Sequence, residues 1–355
     1  MFLQDLQQFQ QKDIINNMSY TTVNKSSDHF VAKSYTGNGG TINVTGMNFA
    51  PDFSWLKCKD IGYNHALFDT LRGASQRLAT NLTGAQVNAS GEGITSFNSD
   101  GYTVVQGTTL EYGNNGIGYA SWNWKAGGSA SSNSDGSVTA NLSANATAGF
   151  SISTFTTPSS GTFTVGHGLG VPPQFIIYRP VTASGWQIGH DSVGWTYFLT
   201  FDTSAPSSST AFGNTAPTNS VWTGNVANVG AGASCVAYCF AEKPGYSRIA
   251  QFKGNSNHNF HYTGFAPKFI IAKTNANDWW SMQDTDNVNN DGTCKLLFPQ
   301  SAGTQSSGVD TRLLSNGFLA NTTNTGFNNV SYVTSYLALG QSIVGTNDKP
   351  VTGRF

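Results

Sequence analysis

The strongest constraint on this chain is a threefold internal repeat, because a repeat fixes the architecture before any single residue is weighed. A Pro-x-Phe pair followed by an apolar run occurs at Pro51-Asp52-Phe53-Ser54-Trp55-Leu56-Lys57, at Pro173-Gln174-Phe175-Ile176-Ile177-Tyr178-Arg179 and at Pro267-Lys268-Phe269-Ile270-Ile271-Ala272-Lys273. Each run ends in a basic residue four positions after the Phe. An acid follows at nearly constant distance: Asp69, Asp191 and Asp284 lie 16, 16 and 15 positions beyond the Phe. In copies two and three a Trp, Trp186 or Trp279, stands five residues before that acid. Asp100-Gly101 in copy one and Asn316-Gly317 in copy three, each Gly 48 positions after the Phe, supply the positive φ of a tight hairpin. Near that place copy two has Val221-Trp222-Thr223-Gly224, which reads as a diverged turn. Each copy opens on a strand, around Tyr35, Phe155 and Phe252, and closes on an alternating one beginning at Tyr119, Cys235 and Val333.

A unit of roughly 95 residues with short strands and frequent turn signals predicts an all-β fold of three tandem β-sandwich, jelly-roll-like repeats. The expected boundaries are an N-terminal attachment segment over 1–28, repeat one over 29–128, a linker with repeat two over 129–245, and repeat three with a C-terminal tail over 246–355. The Gly/Ser-rich stretch 127–136 reads as a flexible connector. The alternation from Ser137 to Leu142 that follows it suits an added strand. The first 28 residues differ from the rest: Phe2, Leu6, Phe9 and Ile14 fall near helical spacing in a Gln-rich stretch, as an anchor arm docking into a neighbouring subunit or a helix packed on the chain's own first repeat would have, with a disordered terminus as the third reading.

Charge narrows the partners. Lys and Arg number 18 and Asp and Glu 19, a net charge of −1, so nothing draws a polyanion and nucleic acid is a poor partner. No run of about 18 apolar residues predicts membrane insertion, and the first residues lack the layout of a signal peptide. The four cysteines are too sparse for a disulfide scaffold. Cys235 and Cys239 on one strand would lie about 13 Å apart, so reduced, buried thiols are expected.

The motifs around these landmarks resemble a known group. Tyr35-Thr36-Gly37-Asn38-Gly39, Phe49-Ala50-Pro51-Asp52-Phe53-Ser54-Trp55, Leu67-Phe68-Asp69-Thr70-Leu71-Arg72-Gly73, Trp122-Asn123-Trp124-Lys125-Ala126-Gly127-Gly128 and Gly166-His167-Gly168-Leu169-Gly170 resemble repeated modules in tail-fibre-like and other structural proteins of marine bacteriophages. The resemblance covers roughly residues 28–345. It implies a virion structural protein on the particle exterior, assembled as a homotrimer with other tail or capsid proteins, attaching to a host-surface glycan or protein. A capsid decoration or head-fibre protein is the alternative reading.

The search for chemistry points away from an enzyme. No nucleophile elbow stands out. The Gly166–Gly170 stretch precedes a strand where a phosphate loop would need a helix. Glu occurs only at 92, 111 and 242, too few to suggest the paired carboxylates of a polysaccharide-degrading enzyme. Asp69, Asp191 and Asp284, recurring once per copy, are expected to do a structural job three times. His258 and His261 are the only close His pair, without the cluster that zinc requires. Asp284, Asp286 and Asp291 lack the Glu of a calcium loop. No cofactor and no metal are therefore expected. Trp195, Trp222, Trp279 and Trp280 are the candidates for stacking on a glycan ring.

Overall fold

The computed structural model describes residues 21–307, 311–321 and 325–344. The fold is all-β, with helix reduced to single turns such as Val226–Val229. Phe2, Leu6, Phe9 and Ile14 lie outside the described residues.

Three larger sheets carry the architecture. The first runs Phe30–Thr36, Gly118–Trp124, Phe53–Cys58, Ala66–Asp69, Gly73–Leu78, Val87–Asn88. The second runs Ser131–Asn133, Ala140–Asn145, Phe150–Thr156, Ser234–Phe240, Phe175–Pro180, Gln187–His190. The third runs Ser247–Lys253, Val333–Gln341, Ala266–Thr274, Trp280–Asp284. All three contain an opening strand, a closing strand, the Pro-x-Phe strand and a return strand, antiparallel and in that spatial order. A smaller sheet faces each larger one, built on the pairs Thr41–Thr45 with Gly101–Val105, Thr162–Gly166 with Val221–Asn225, and His258–Tyr262 with Gly317–Asn321.

The continuous apolar runs follow from burial on both faces of the larger sheets, where a one-sided sheet would alternate. Leu56, Ile176, Tyr178, Ile270 and Ala272 look into the core that their own unit encloses with its smaller sheet. Their neighbours Phe53, Trp55, Phe175, Ile177, Phe269 and Ile271 point the other way, into one core shared by all three units. There Phe53 stacks on Tyr238 at 4.4 Å, Trp124 meets Phe269 edge-on at 5.8 Å, and Phe201 touches Trp55, Trp186 and Trp280, one ring from each unit. Each such side chain contributes roughly 1.5–3 kcal/mol by burial alone. Ser26 closes the arrangement, donating through its N–H and hydroxyl to Gln341 Oε1 at 2.8 and 2.9 Å.

Pairing registers correct three details of the sequence reading. Phe53, Phe175 and Phe269 pair with Asp69, His190 and Asp284 on the return strands. Asp191 is therefore one residue past the repeated position, which His190 holds. The Trp landmark slips likewise: Lys273 pairs with Trp280, so the counterpart of Trp186 is Trp280 and that of unit one is His65. The expected turn at 221–224 is strand, because Trp222 pairs with Val165 as Tyr102 pairs with Val44 and Phe318 with His261. In units one and three the preceding residue is Gly101 or Gly317, where a Cβ would fall 1.9 or 2.1 Å from the carbonyl oxygen of the partner strand. The connector is also folded: Ser131–Asn133 pairs with Ala140–Asn145, which adds a strand outside the opening strand of unit two and pairs its edge.

Candidate functional site

The recurring polar residues meet at the junctions between units. At the far end of the Pro-x-Phe strand, His65 Nε2, Trp186 Nε1 and Trp280 Nε1 donate to Phe298 O, Ala79 O and Thr200 O at 2.9, 2.9 and 2.7 Å. Trp55 Nε1 donates to His65 Nδ1 at 2.8 Å, which assigns the His65 proton to Nε2. Each acceptor follows a leucine, Leu297, Leu78 or Leu199, that pairs with a return strand. Unit one thus reaches into unit three, two into one, and three into two.

The basic residue that ends each run lies beside this contact and is fully buried. Arg179 donates to Pro180 O, Leu82 O, Gly84 O and Thr182 O at 2.7–3.3 Å and stacks on Trp186 at 5.2 Å. Lys57 Nζ donates to Cys58 O and to Ala302 O, and Lys273 Nζ to Thr274 O and Ala276 O. Burial lowers both lysines to about 8, against the opposing pull of Glu111 on Lys57 and of Asp278 and Asp202 on Lys273, and burial with the nearby Arg72 charge lowers Arg179 to about 10.

The return-strand position bonds the neighbouring unit's closing strand. Asp69 accepts from Tyr238 OH at 2.7 Å and from Arg72 Nε at 2.6 Å. Asp284 accepts from Trp122 Nε1 at 3.0 Å and from Asp286 N at 2.9 Å, and burial pushes its carboxyl up to about 6. His190, brought down to about 4 by burial, directs Nε2 at Tyr336 O at 3.2 Å. Its Nδ1 accepts from Ser192 N and Ser192 Oγ at 3.2 and 2.9 Å. Ser192 Oγ is in turn 2.8 Å from Ser335 Oγ across the junction. This Ser–His contact does not make a nucleophile, since a base titrating near 4 drives proton removal poorly at neutral pH and no acid orients the ring.

Beside each contact the loop after the return strand faces the neighbour's opening strand. Between units three and one this space is bridged: Asp286 Oδ2 accepts from Ser34 N at 3.1 Å on the edge of the opening strand. Between one and two, Leu71 and Arg72 hold the loop positions, and Asn141 and Ala140 of the added strand line a cavity of about 490 Å³. Between two and three, Ser192, Val193, Tyr197, Gln251, Asn275 and Ser335 are among the residues lining a cavity of about 320 Å³.

Of the four tryptophans expected to meet a glycan, three are interior, which corrects that expectation. Trp222 and Trp280 are buried in their cores, and Trp195 packs on Phe212 with its N–H on Asp191. Strand register explains the first two: a residue inside a two-layered core faces other rings, whatever turn residues flank it. Only Trp279 is outside, 44% exposed, with its ring edge-on to Phe298 at 5.5 Å. His261 stacks on Phe252 at 4.0 Å, and Asp291 caps the Thr293 turn. Asp284, Asp286 and Asp291 thus serve three separate structural bonds. All four cysteines are free and buried. Among the described residues no group of three or more His, Cys, Asp or Glu could hold a metal ion, and no helix is long and apolar enough to cross a membrane. Sequence reasoning missed Tyr197, Gln251 and Asn275; nothing in the repeat marks them, because three distant segments supply them.

Residues 25–340 match the family described as a domain of unknown function (DUF7483), and the chain belongs to that family. No curated protein matches it.

Proposed function

We propose that the chain is a non-enzymatic, tail-fibre-like structural protein of a bacteriophage virion, carried on the particle exterior, where its β units attach the particle to a host surface. The three units are, in this reading, copies of one sandwich-like module repeated in tandem, and the chains assemble as homotrimers by analogy with fibres. The observation that carries the reading is the use made of the recurring polar residues. Asp69, Asp284, Lys57, Arg179 and Lys273 are buried in or beside the junctions, so the acids that hydrolysis would need are occupied in joining units. What is left outside is a surface with few charges, rich in hydroxyls and amides, suited to many weak contacts multiplied by copy number.

Immunogold electron microscopy with antibody against residues 129–355 tests the location. Gold on the tail or its fibres is the expected result. Gold over the head would replace this reading with the capsid-decoration or head-fibre one, and unlabelled particles would remove the virion from it altogether. Oligosaccharide released from host polysaccharide by the purified chain would overturn the non-enzymatic reading.

A further inference from the structure

We infer that the cleft between units two and three is a binding site for a neutral saccharide ring. The three loop-to-edge spaces are related by register, and comparing them shows what is particular about this one. Ser192 takes the place of Leu71 and Asp286, two residues beyond the return-strand positions His190, Asp69 and Asp284. Gln251 takes the place of Ser34, since Gln251 pairs with Ser335 as Ser34 pairs with Ala120. In the space between units three and one an aspartate bonds the Ser34 N–H of the strand edge. In this one a short serine stands opposite, its hydroxyl turned aside to His190 and Ser335, and a cavity of about 320 Å³ remains. That volume is at the small end of ligand sites, about 300–1,000 Å³.

The lining has the mixed chemistry that a sugar ring presents, an apolar C–H face and an edge of hydroxyls that both donate and accept. Tyr197, 43% exposed, Val193, Pro206 and Val333 supply the apolar part of the lining. Among the polar lining residues, Asn275 Oδ1 accepts from Val333 N at 3.0 Å, which fixes the amide and leaves its Nδ2 donors uncommitted to that bond. The His190 proton sits on Nε2, facing Tyr336 O, so Ser192 donates to Nδ1 and Ser335 donates to Ser192. Both hydroxyl oxygens therefore keep acceptor lone pairs for a ligand. Gln251 adds an exposed amide. No charged side chain lines this cleft, which sets it apart from three larger cavities that include Arg72, Asp52 with Lys125, or Asp52. A neutral pyranose fits these donors and acceptors, whereas an acidic sugar would find no cation here.

The inference rests on the attachment reading only for where such a sugar would be met, on a host-surface polysaccharide. Affinity for a single ring is expected to be on the order of 1 mM, raised by copy number. The test is saturation-transfer NMR on the full chain with the methyl glycosides of glucose, galactose, mannose and N-acetylglucosamine, and with glucuronate as the charged control. Transfer to at least one neutral glycoside is expected, reduced at least fivefold by Tyr197→Ala and by Gln251→Ala, with both variants unfolding at the wild-type temperature. No transfer to any neutral glycoside, transfer that survives both substitutions, or equal transfer to glucuronate overturns the inference. Adhesion of the labelled chain to host cells separates the two claims. Adhesion that both variants retain would leave attachment standing without this cleft, and sugar binding by a chain that adheres to no host would leave the cleft standing without attachment.

Discussion

Two junctions put an aspartate at the same register position and give it opposite company. At the junction of units one and two, Asp69 meets the phenol of Tyr238 and, three residues along its own chain, the guanidinium of Arg72. At the junction of units three and one, Asp284 meets the indole of Trp122, and the residue three along is Asn287. Both carboxylates are buried. The first has a cation bonded to it, and the second has only neutral hydrogen-bond donors; burial, with the Asp286 carboxylate close by, raises its carboxyl to about 6. A repeated position keeps a geometry, while the charges set beside it differ from copy to copy.

The contrast is broken most severely at the charged junction. Asp69→Ala leaves Arg72 buried without an anion and is expected to cost about 3–5 kcal/mol, read as a fall in the urea midpoint. Asp284→Ala strands no cation and should cost much less in the same experiment.

The pH dependence sharpens the same contrast. Asp284 titrates near 6 in the folded chain against 3.8 for an ordinary Asp, so the folded state binds the proton more tightly. Its contribution to stability is greatest below about pH 4, falls as pH rises from about 4 to 6, and is lower by about 3 kcal/mol above that range. Asp284→Asn should remove that slope from unfolding curves taken at pH 4, 5, 6 and 7; an unchanged slope would show that another group sets it.

Trp122→Phe keeps most of the ring and removes the indole donor. A loss of about 1–2 kcal/mol at pH 7 is expected, and it should shrink when combined with Asp284→Asn, because the two share one bond. The smallest effect is expected outside the junctions. Trp279→Ala gives up one edge-on contact with Phe298 and should lower stability by about 0.5–1 kcal/mol, with no change in pH dependence.

Much of the fold was legible because strands repeat by period and turns by chemistry. The Pro-x-Phe runs, the opening strands at Tyr35, Phe155 and Phe252, and the Gly101 and Gly317 turns all fall at equivalent registers. Position by position the reading slipped by one residue at Asp191 and at Trp279. A loop lengthens by a residue without changing the register of the strands it joins, and spacing counted along the chain cannot see that. Trp222 was misplaced for a related reason: its Gly-flanked setting looks like a turn, but cross-strand pairing with Val165 decides its burial.

By itself the sequence determined an all-β chain, a series of landmarks met three times in the same order, thiols with no partner close by, and a net charge near zero. Those properties depend on residue type and on neighbours within a few positions. Only the tertiary structure decided that the basic residue ending each run would cap carbonyls at the junctions, that one recurring acid would sit beside an arginine and another beside a tryptophan, and that one of three related spaces would be left open and uncharged. Such outcomes depend on which residues a closed arrangement brings together across distances such as the 315 positions between Ser26 and Gln341, and local pattern carries no record of that distance.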